Sequence, residues 1–325
     1  MSMRIGRRAA LAGLALPLMA GRAGAQGFPD QPVRMIVPFA AGGPADIIAR
    51  IVARVMGERL GRPIVVDARA GAGGLIGVEA AAKARPDGHT IVLASSGAMV
   101  IQPHLQPSMP YDPLRDLAPI TQVLGVPQIV SVAPNLGVKT LGELVAMAKA
   151  RPGQLSFGSA GVASSLHMAG ELLKLRTGID IVHVPYRGAA PAVTDLLAGR
   201  IQILCADVPA LLSHVRAGTI PALAITAEER LPLLPDLPTT GEAGVQGVVS
   251  ETWYGLLGPT GIPADRLATL YAAAKAALED AETKRLLAEQ GGRVVGSSPE
   301  QFGAFIRANY ASWGEVVHAT GVRLE

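Results

Sequence analysis

Glycine and hydroxyl residues recur in this sequence where an apolar strand pattern gives way to a helix pattern. The first such segment, Phe39 to Asp46, contains Gly42 and Gly43 and follows the apolar run Val33 to Phe39. Backbone N–H groups at a helix start lack partners within the helix, and the helix dipole favours an anion there. The segment is therefore either a carboxylate-binding loop, in which Asp46 caps the helix, or a tight turn without a ligand.

Two further turns of the same kind follow, each after one more strand and helix. Gly71 to Gly74 comes after the strand pattern Ile64 to Val66, and Ser95-Ser96 ends the strand pattern that begins at Thr90. Ligands of open α/β sheets bind outside the carboxyl ends of the strands. Three turns at one sheet edge therefore predict a ligand site more strongly than any single turn does.

The second half of the chain repeats this pattern with more polar side chains. Ser159 to Gly161 precedes a helix start with Ser164 and His167, and Tyr186 to Gly188 follows the next strand pattern. Hydroxyl, N–H and guanidinium groups are suitable donors to a carboxylate. Asp207 is an acceptor instead, for an amine or hydroxyl of the ligand. Taken singly, Ser164 also fits a helix cap and His167 a structural histidine.

Motifs for catalysis or metal binding are not found in the sequence. A G-x-S-x-G nucleophile elbow is missing because Phe157 stands at its first position, and neither H-E-x-x-H nor a cysteine cluster occurs. The phosphate-binding patterns G-x-x-x-x-G-K-[ST] and G-x-G-x-x-G are also missing. We therefore predict a protein that is not an enzyme and has no metal site or cofactor. A hydrolase that uses Ser159 or Ser165 with His167 is the remaining catalytic alternative.

Alternating strand and helix patterns predict an α/β fold with two lobes. The strand patterns Ile129 to Ala133 and Thr252 to Leu257 are the predicted crossings between the lobes, and together they form a hinge. We therefore predict lobe 1 from residues 26–129 and 252–325, and lobe 2 from residues 130–251. Each lobe is expected to be a mostly parallel sheet flanked by helices.

The first 25 residues predict a signal peptide. A basic start precedes a short apolar stretch, Ala9 to Ala20, and small residues precede the expected cleavage between Ala25 and Gln26. This segment holds four Arg and no acidic residue, which leaves 25 basic and 26 acidic residues in the mature chain. The near-neutral mature chain disfavours nucleic acid as a partner. Cys205, the only cysteine, lies in an apolar run, which predicts a buried thiol.

Long stretches of the sequence, in conserved order, resemble one family. They include FPDQPVRMIVPFAAGGPADIIAR, RAGAGGLIGVEAAAKARPDGHTIVLAS, LGELVAMAKARPGQLSFGSAG and HVPYRGAAPAVTDLLAGRI. Together they are similar to the Bug-type extracytoplasmic solute receptors, the substrate-binding proteins of tripartite tricarboxylate transporters. The resemblance implies a two-lobed periplasmic-binding-protein fold of type II, a periplasmic monomer, and delivery of a ligand to membrane permease subunits. A periplasmic receptor that reports its ligand to a sensor kinase is the alternative.

The resemblance also implies that the turns described above are the ligand-binding loops. Ala163 departs from the family, which usually has a glycine at this position. The predicted ligand is a small carboxylate: an aliphatic di- or tricarboxylate, an amino acid, or an aromatic acid held by Phe39, Tyr186 and Trp253. The predicted ligand-binding residues are Phe39, Ala41, Gly42, Gly43, Asp46, Gly73, Ser95, Ser96, Ser159, Ala160, Gly161, Ser164, His167, Tyr186, Arg187, Gly188 and Asp207.

Overall fold

The computed structural model describes residues 27–323, so the predicted signal peptide and its cleavage site lie outside the described residues. The strands are β1 (Val33–Val37), β2 (Ile64–Ala68), β3 (Thr90–Ser95), β4 (Leu117–Val132), β5 (Ser156–Ser159), β6 (Val182–Pro185), β7 (Ile203–Asp207), β8 (Ala222–Ile225), β9 (Glu251–Pro259) and β10 (Arg293–Val294). The helices are α1 (Pro44–Leu60), α2 (Leu75–Ala82), α3 (Leu141–Ala150), α4 (Ser165–Thr177), α5 (Ala189–Leu197), α6 (Val208–Arg216), α7 (Ala264–Glu279), α8 (Ala281–Glu289) and α9 (Pro299–Thr320).

Helix α1 shows how local sequence sets the limits of an element. It begins at Pro44, because proline is favoured in the first turn, where a missing N–H costs nothing. Ile48 and Val52 recur on one face and are buried against the sheet. The helix ends at Gly61, whose φ of 65° is the left-handed conformation that glycine adopts without strain.

The strands form one mixed sheet in the order β2-β1-β3-β9-β4-β7-β5-β6, with β8 and β10 also paired to β4. Pairing is parallel among β1, β2 and β3 and among β5, β6 and β7. The pairings that involve β4 or β9 are antiparallel. We call the part built on β1, β2, β3, β9 and β10 lobe 1, and the part built on β5 to β8 lobe 2.

The central strand β4 is 16 residues long and belongs to both lobes. Its first part pairs with β9, and its last part, Gln128 to Val132, pairs with β7. The prediction of a short crossing strand over Ile129 to Ala133 was wrong in length, because Gln122 and Gly125 interrupt the apolar pattern upstream of it. The return strand predicted over Thr252 to Leu257 is confirmed as the inner part of β9. The residue limits of the two lobes stay a prediction.

Helices cover both faces of the lobe 1 sheet. Met35 of β1 faces α1 and α7, whereas Ile36 faces α2 and α9, as the two-residue alternation of a strand requires. Phe302 of α9 is fully buried on the second face. The predicted α/β architecture with parallel strands and covering helices is therefore confirmed. Among residues 27–323, no helix has the length and apolarity needed to cross a bilayer.

The single thiol offers a direct check on the packing of lobe 2. Cys205 of β7 is fully buried, and this burial raises the pKa of its thiol to about 12. Because the thiolate is the reactive form, we expect native protein not to react with DTNB, and one thiol per chain to react in denaturant. The variant Ala190→Cys, which adds a thiol at an exposed position of α5, is the control and should react at once. Rapid reaction of the native wild-type chain would contradict the packing of β7.

Candidate ligand-binding site

The turns that follow β3, β5 and β7 lie where the two lobes touch. A Cβ built on Gly97, directly after β3 and Ser96, would lie 3.8 Å from the carbonyl oxygen of Ala163 in lobe 2. Ser165, the first residue of α4, shares a 2.6 Å hydrogen bond with Thr252 of β9. The predicted loops of the two lobes therefore face one another across a cleft, and β4 and β9 form its floor.

Asp46 supports the first loop from below. Its side chain is buried, accepts a 3.0 Å hydrogen bond from the N–H of Gly42, and accepts bonds of 2.8 and 3.1 Å from Arg50. The Arg50 guanidinium holds the pKa of Asp46 below its usual value, although burial opposes the shift. Gly43, and not Asp46 as predicted, is the N-cap residue of α1.

The free donors of this loop belong to neighbours of the two glycines. The N–H of Gly42 is held by Asp46, and the N–H of Gly43 donates to a carbonyl within the loop. Within residues 27–323, the backbone N–H groups of Ala45 and Asp46 donate to no oxygen. Both lie in the first turn of α1, where the helix dipole is positive. Ala41 is exposed beside them, whereas Phe39 is half-buried.

The second loop of lobe 1 depends on glycine and on one glutamine. Gly71, Gly73 and Gly74 have φ values of 145°, 63° and 103°, which other residues rarely adopt. The side-chain amide of Gln102 donates a 2.8 Å hydrogen bond to the carbonyl of Gly73, and a side chain on Gly73 would collide with it. Sequence patterns gave no signal for Gln102, because it follows the π-helix Gly97–Ile101 and contacts a loop 29 residues earlier.

Ser96 is the most unusual side chain of the third loop. Its residue is fully buried, yet its Oγ has no hydrogen-bond partner among residues 27–323. Leaving a buried hydroxyl without a partner costs about 1–3 kcal/mol. The neighbouring Ser95 is also buried and ends β3, which pairs with β9 at Tyr254. The hydroxyl of Ser96 is therefore placed to bond a group that enters between the lobes.

In lobe 2, Ser159 shapes its loop from within. It is fully buried, and its Oγ accepts a 3.1 Å hydrogen bond from the N–H of Gly161 and lies 2.7 Å from Nε2 of His183. The pKa of His183 is lowered to about 4, mainly by burial and further by the charge of His167. Among residues 27–323, the N–H of Ala160 donates to no oxygen, so the free donor again stands beside the bonded residues.

His167 holds the same loop from behind. Its Nδ1 accepts a 3.2 Å hydrogen bond from the N–H of Ala163, so the ring proton lies on Nε2, 3.7 Å from Glu171. The imidazole rings of His167 and His183 are stacked with their centres 3.7 Å apart. Ala163 is buried with a φ of 62°, an uncommon conformation for alanine. Ser164 caps α4, as its sequence context suggested.

The last predicted loop of lobe 2 contributes one aromatic residue to the cleft wall. The hydroxyl of Tyr186 donates a 2.8 Å hydrogen bond to Asp195, and its N–H bonds the carbonyl of Ser159 at 3.1 Å, which joins the two loops. Arg187 is exposed, and Gly188 is the N-cap of α5 with a φ of 128°. The ring of Tyr186 is therefore fixed by Asp195 and does not move freely over a ligand.

Asp207 lies at the floor of the cleft, next to both hinge strands. Its Oδ1 accepts hydrogen bonds of 2.8 Å from Thr252 of β9 and 3.1 Å from Gln128 of β4. Burial raises the pKa of Asp207 to about 6, and the two hydrogen bonds offset only part of this effect. Neither Gln128 nor Thr252 was predicted as a site residue. Each could have been identified in the sequence as a polar residue inside an otherwise apolar strand.

The aromatic residue predicted as a ligand contact on the return strand is buried in the core instead. Trp253 is fully buried in lobe 1, where it packs on Phe302 and its ring N–H donates to Asn309. Because successive strand residues face opposite sides, Thr252 and Tyr254 face the opposite side of β9 from Trp253. Tyr254 is buried as well, in the core that contains α1 and α7, so neither aromatic residue of β9 has an exposed ring.

The geometry gives the hydrolase alternative no exposed nucleophile. Ser159 is fully buried and bonded within its loop, and Ser165 is bonded to Thr252. His167 is occupied by the backbone of Ala163 and lies near neither hydroxyl in a bonded geometry. Among residues 27–323, no three or more His, Cys, Asp or Glu side chains are grouped to hold a metal ion.

A two-lobed α/β fold with donor-lined loops facing each other across a hinge defines the class of periplasmic solute-binding proteins. Residues 48–322 match the family model of the tripartite tricarboxylate transporter family receptor. The chain belongs to this family, as its sequence resemblance predicted. The members of the family are periplasmic receptors for solutes and not enzymes.

Relatives of known name and structure agree with this assignment. Protein BugT of Bordetella pertussis is 38% identical over 322 residues, which cover 99% of this chain and 97% of BugT. The structure of R. palustris Rpa4515 with adipate is 33% identical, with a TM-score of 0.84 over 91% of this chain and 99% of that one. MatC from Rhodopseudomonas palustris with bound malate is 31% identical, with a TM-score of 0.81 over 89% of this chain and all of that one.

The stacked histidines lead to a prediction about stability. The pKa of His183 is about 4 in the folded protein, against 6.5 in an unfolded chain, so protonation favours the unfolded state. Above pH 6.5, His183 is neutral in both states and does not lower the free energy of unfolding. As the pH falls from 6.5 towards 4, only the unfolded chain takes up the proton, so the free energy of unfolding falls. Because His183 is half-buried, we expect this loss to be at most about 2 kcal/mol.

Urea unfolding of wild type and His183→Gln at pH 7.5 and pH 5.0 measures this effect. The variant removes the titration of one histidine and leaves all other groups as a shared background. Wild type should lose more free energy of unfolding between the two pH values than the variant does. Equal losses would show that His183 titrates normally in the folded protein.

Proposed function

We propose that this chain is an exported receptor that captures a small carboxylate between its lobes and delivers it to a tripartite tricarboxylate-type membrane permease. The observation that carries the proposal is the buried hydroxyl of Ser96, which has no partner among residues 27–323 and lies where the lobes meet. A native structure rarely leaves such a group without a bond. A ligand oxygen between the lobes supplies the missing partner.

Backbone donors on both sides of the cleft support a carboxylate as the ligand. The N–H groups of Ala45 and Asp46 stand free at the positive end of α1, and the N–H of Ala160 stands free on the opposing lobe 2 loop. Hydrogen bonds to a charged group are each worth about 1.5–3 kcal/mol. Three or four such bonds together with burial account for a dissociation constant near 1 μM, or about −8 kcal/mol.

The cleft composition favours an aliphatic ligand over an aromatic one. Trp253 lies outside the cleft, and the hydroxyl of Tyr186 is tied to Asp195. The remaining aromatic side chains near the loops are those of Phe39 and Tyr254. The relatives with adipate and malate, both aliphatic dicarboxylates, point in the same direction. The proposed ligand is therefore an aliphatic carboxylate of similar size.

Capture by closure requires only that the ligand binds the closed form better than the open form. Bonds to both lobes meet this requirement, because a ligand held by Ala45 and Ser96 on one side and Ala160 on the other can form all of them only when the lobes meet. The hinge is the pair β4 and β9, which leaves each lobe rigid. A membrane permease then recognises the surface that both lobes form together. We propose that the mature protein acts in the periplasm as a monomer.

A thermal-shift screen of residues 26–325, freed of bound ligand by refolding, tests the proposal. The panel contains mono-, di- and tricarboxylates, amino acids and aromatic acids, and calorimetry follows on each positive result. We expect a saturable rise in melting temperature for at least one aliphatic carboxylate, without chemical change of the ligand. A flat response to the whole panel, or turnover of the ligand, would contradict the proposal.

Ser96→Ala separates ligand binding from folding. The removed hydroxyl makes no bond to the described residues, so the ligand-free variant should be at least as stable as wild type. Its affinity for the identified carboxylate should fall about 10-fold, because one hydrogen bond is lost. Thermal melts and calorimetry measure the two effects.

The matched control is Ser131→Ala in β4. Ser131 is equally buried, but its Oγ donates a 2.8 Å hydrogen bond to the carbonyl of Leu204. This variant should lose about 1 kcal/mol of stability and keep its affinity for the ligand. The opposite pattern, with Ser96→Ala destabilised and its affinity unchanged, would mean that Ser96 serves the fold and not the ligand.

A further inference from the structure

Asp207 is an N-cap residue that does not cap its helix. It ends β7 and stands at the N-cap position of α6, where an aspartate usually accepts from the N–H groups of the first turn. Here the side chain makes no cap hydrogen bond and turns towards the hinge strands instead. The carboxylate therefore serves the cleft floor and not the local helix.

Only one of the two carboxylate oxygens of Asp207 is used by the protein. Oδ1 accepts from Oγ1 of Thr252 at 2.8 Å and from Nε2 of Gln128 at 3.1 Å. Ser165 of α4 completes the chain of donors through its 2.6 Å bond to Thr252. Within residues 27–323 nothing donates to Oδ2, and the side chain as a whole is only half-buried. Oδ2 is therefore an open acceptor beside the junction of both lobes.

The surroundings of Asp207 provide no cation. Within residues 27–323 the carboxylate forms no ion pair, and the neighbouring side chains from β4, β9 and α4 are Gln128, Thr252, Tyr254 and Ser165. Tyr254 is the titratable one among them, and burial raises its pKa, so it stays neutral. An ionised Asp207 in this position lacks a donor for Oδ2, and a second carboxylate beside it would be repelled.

We propose that Asp207 is the specificity-determining residue of the cleft and selects carboxylates that also carry a hydrogen-bond donor, a hydroxyl or an ammonium group, for its Oδ2. This inference rests on the proposed function, because the carboxylate of the same ligand occupies the loop donors. Ligands without a donor leave Oδ2 without a partner or bring a second negative charge towards it. A hydrogen bond to a charged group corresponds to a preference of about 10-fold or more.

Matched ligands that differ only in the donor test the selection. Succinate, malate and aspartate form one series, and glutarate, 2-hydroxyglutarate and glutamate form a second series that is one carbon longer. Calorimetry on the ligand-free mature chain at pH 7.5 should show tighter binding of a hydroxy or amino member than of the plain dicarboxylate, by about 10-fold or more. Which of the two donors is preferred tells whether the natural ligand is a hydroxy acid or an amino acid.

Asp207→Asn replaces the acceptor Oδ2 with an NH₂ donor and keeps almost the same side-chain shape. Thr252 and Gln128 both donate, so they hold the amide oxygen of the new side chain and turn its NH₂ group towards the cleft. The variant should lose the donor preference to within about 2-fold and bind the plain dicarboxylate more tightly than wild type does. A structural role alone would weaken all ligands equally.

Asp280→Asn is the matched control. Asp280 is likewise an N-cap aspartate without a cap hydrogen bond, but it stands before α8, outside the cleft. This variant should keep the wild-type order of affinities in both series. Thermal melts of the three ligand-free proteins show that each is folded, and Asp207→Ala provides a second variant if the asparagine protein fails to fold.

The pH dependence of the preference gives an independent readout. The pKa of Asp207 is raised to about 6, so wild type should lose its preference for donors as the pH falls from 7.5 to 5.0, when Oδ2 becomes protonated. Asp207→Asn should show no such change. The ligands ionise in the same way in both measurements, so the variant controls for their titration. Binding of both series with no effect of the donor would overturn the inference and leave the proposed function intact. Failure of every carboxylate to bind would overturn the proposed function itself.

Discussion

The antiparallel pairing of β4 with β9 is the interaction on which the rest of the structure depends. It runs from Leu117 opposite Pro259 to Pro127 opposite Glu251, and the last five residues of β4 then pair with β7. Both lobes are therefore attached to one two-stranded ribbon, which is short enough to bend and too well bonded to slip in register. Gln128 of β4 and Thr252 of β9 bond Asp207 where the lobes meet, so the hinge strands also form the floor of the cleft.

The site follows a common rule in which side chains fix the loops and a few backbone donors stay free. Three buried side chains each form a hydrogen bond with loop backbone: Asp46, Gln102 and Ser159. This arrangement fixes the loops before a ligand arrives, which reduces the entropy lost on binding. Two side-chain atoms without a protein partner near the junction, Ser96 Oγ and Asp207 Oδ2, come from opposite lobes. Both can be satisfied by one ligand, and this shared satisfaction favours the closed form.

Much of the fold was predictable because its signals are local. The return strand predicted over Thr252 to Leu257 lies within β9, since a local apolar run marks it. The length of β4 was not predictable, because its ladder partners lie more than 70 residues away in β7 and more than 120 away in β9.

The sequence by itself determined the family and the α/β class, because strand ends, glycine turns and helix starts depend on residues that are neighbours in the chain. Only the tertiary structure decided which atoms of the loops remain free. It showed that the N–H groups of Gly42 and Gly161 are bonded within the loops, that Trp253 is buried in lobe 1, and that one carboxylate oxygen of Asp207 is left without a donor from the described residues. Hydrogen-bond partners come from distant segments, and their identity is fixed only when strands pair and lobes meet.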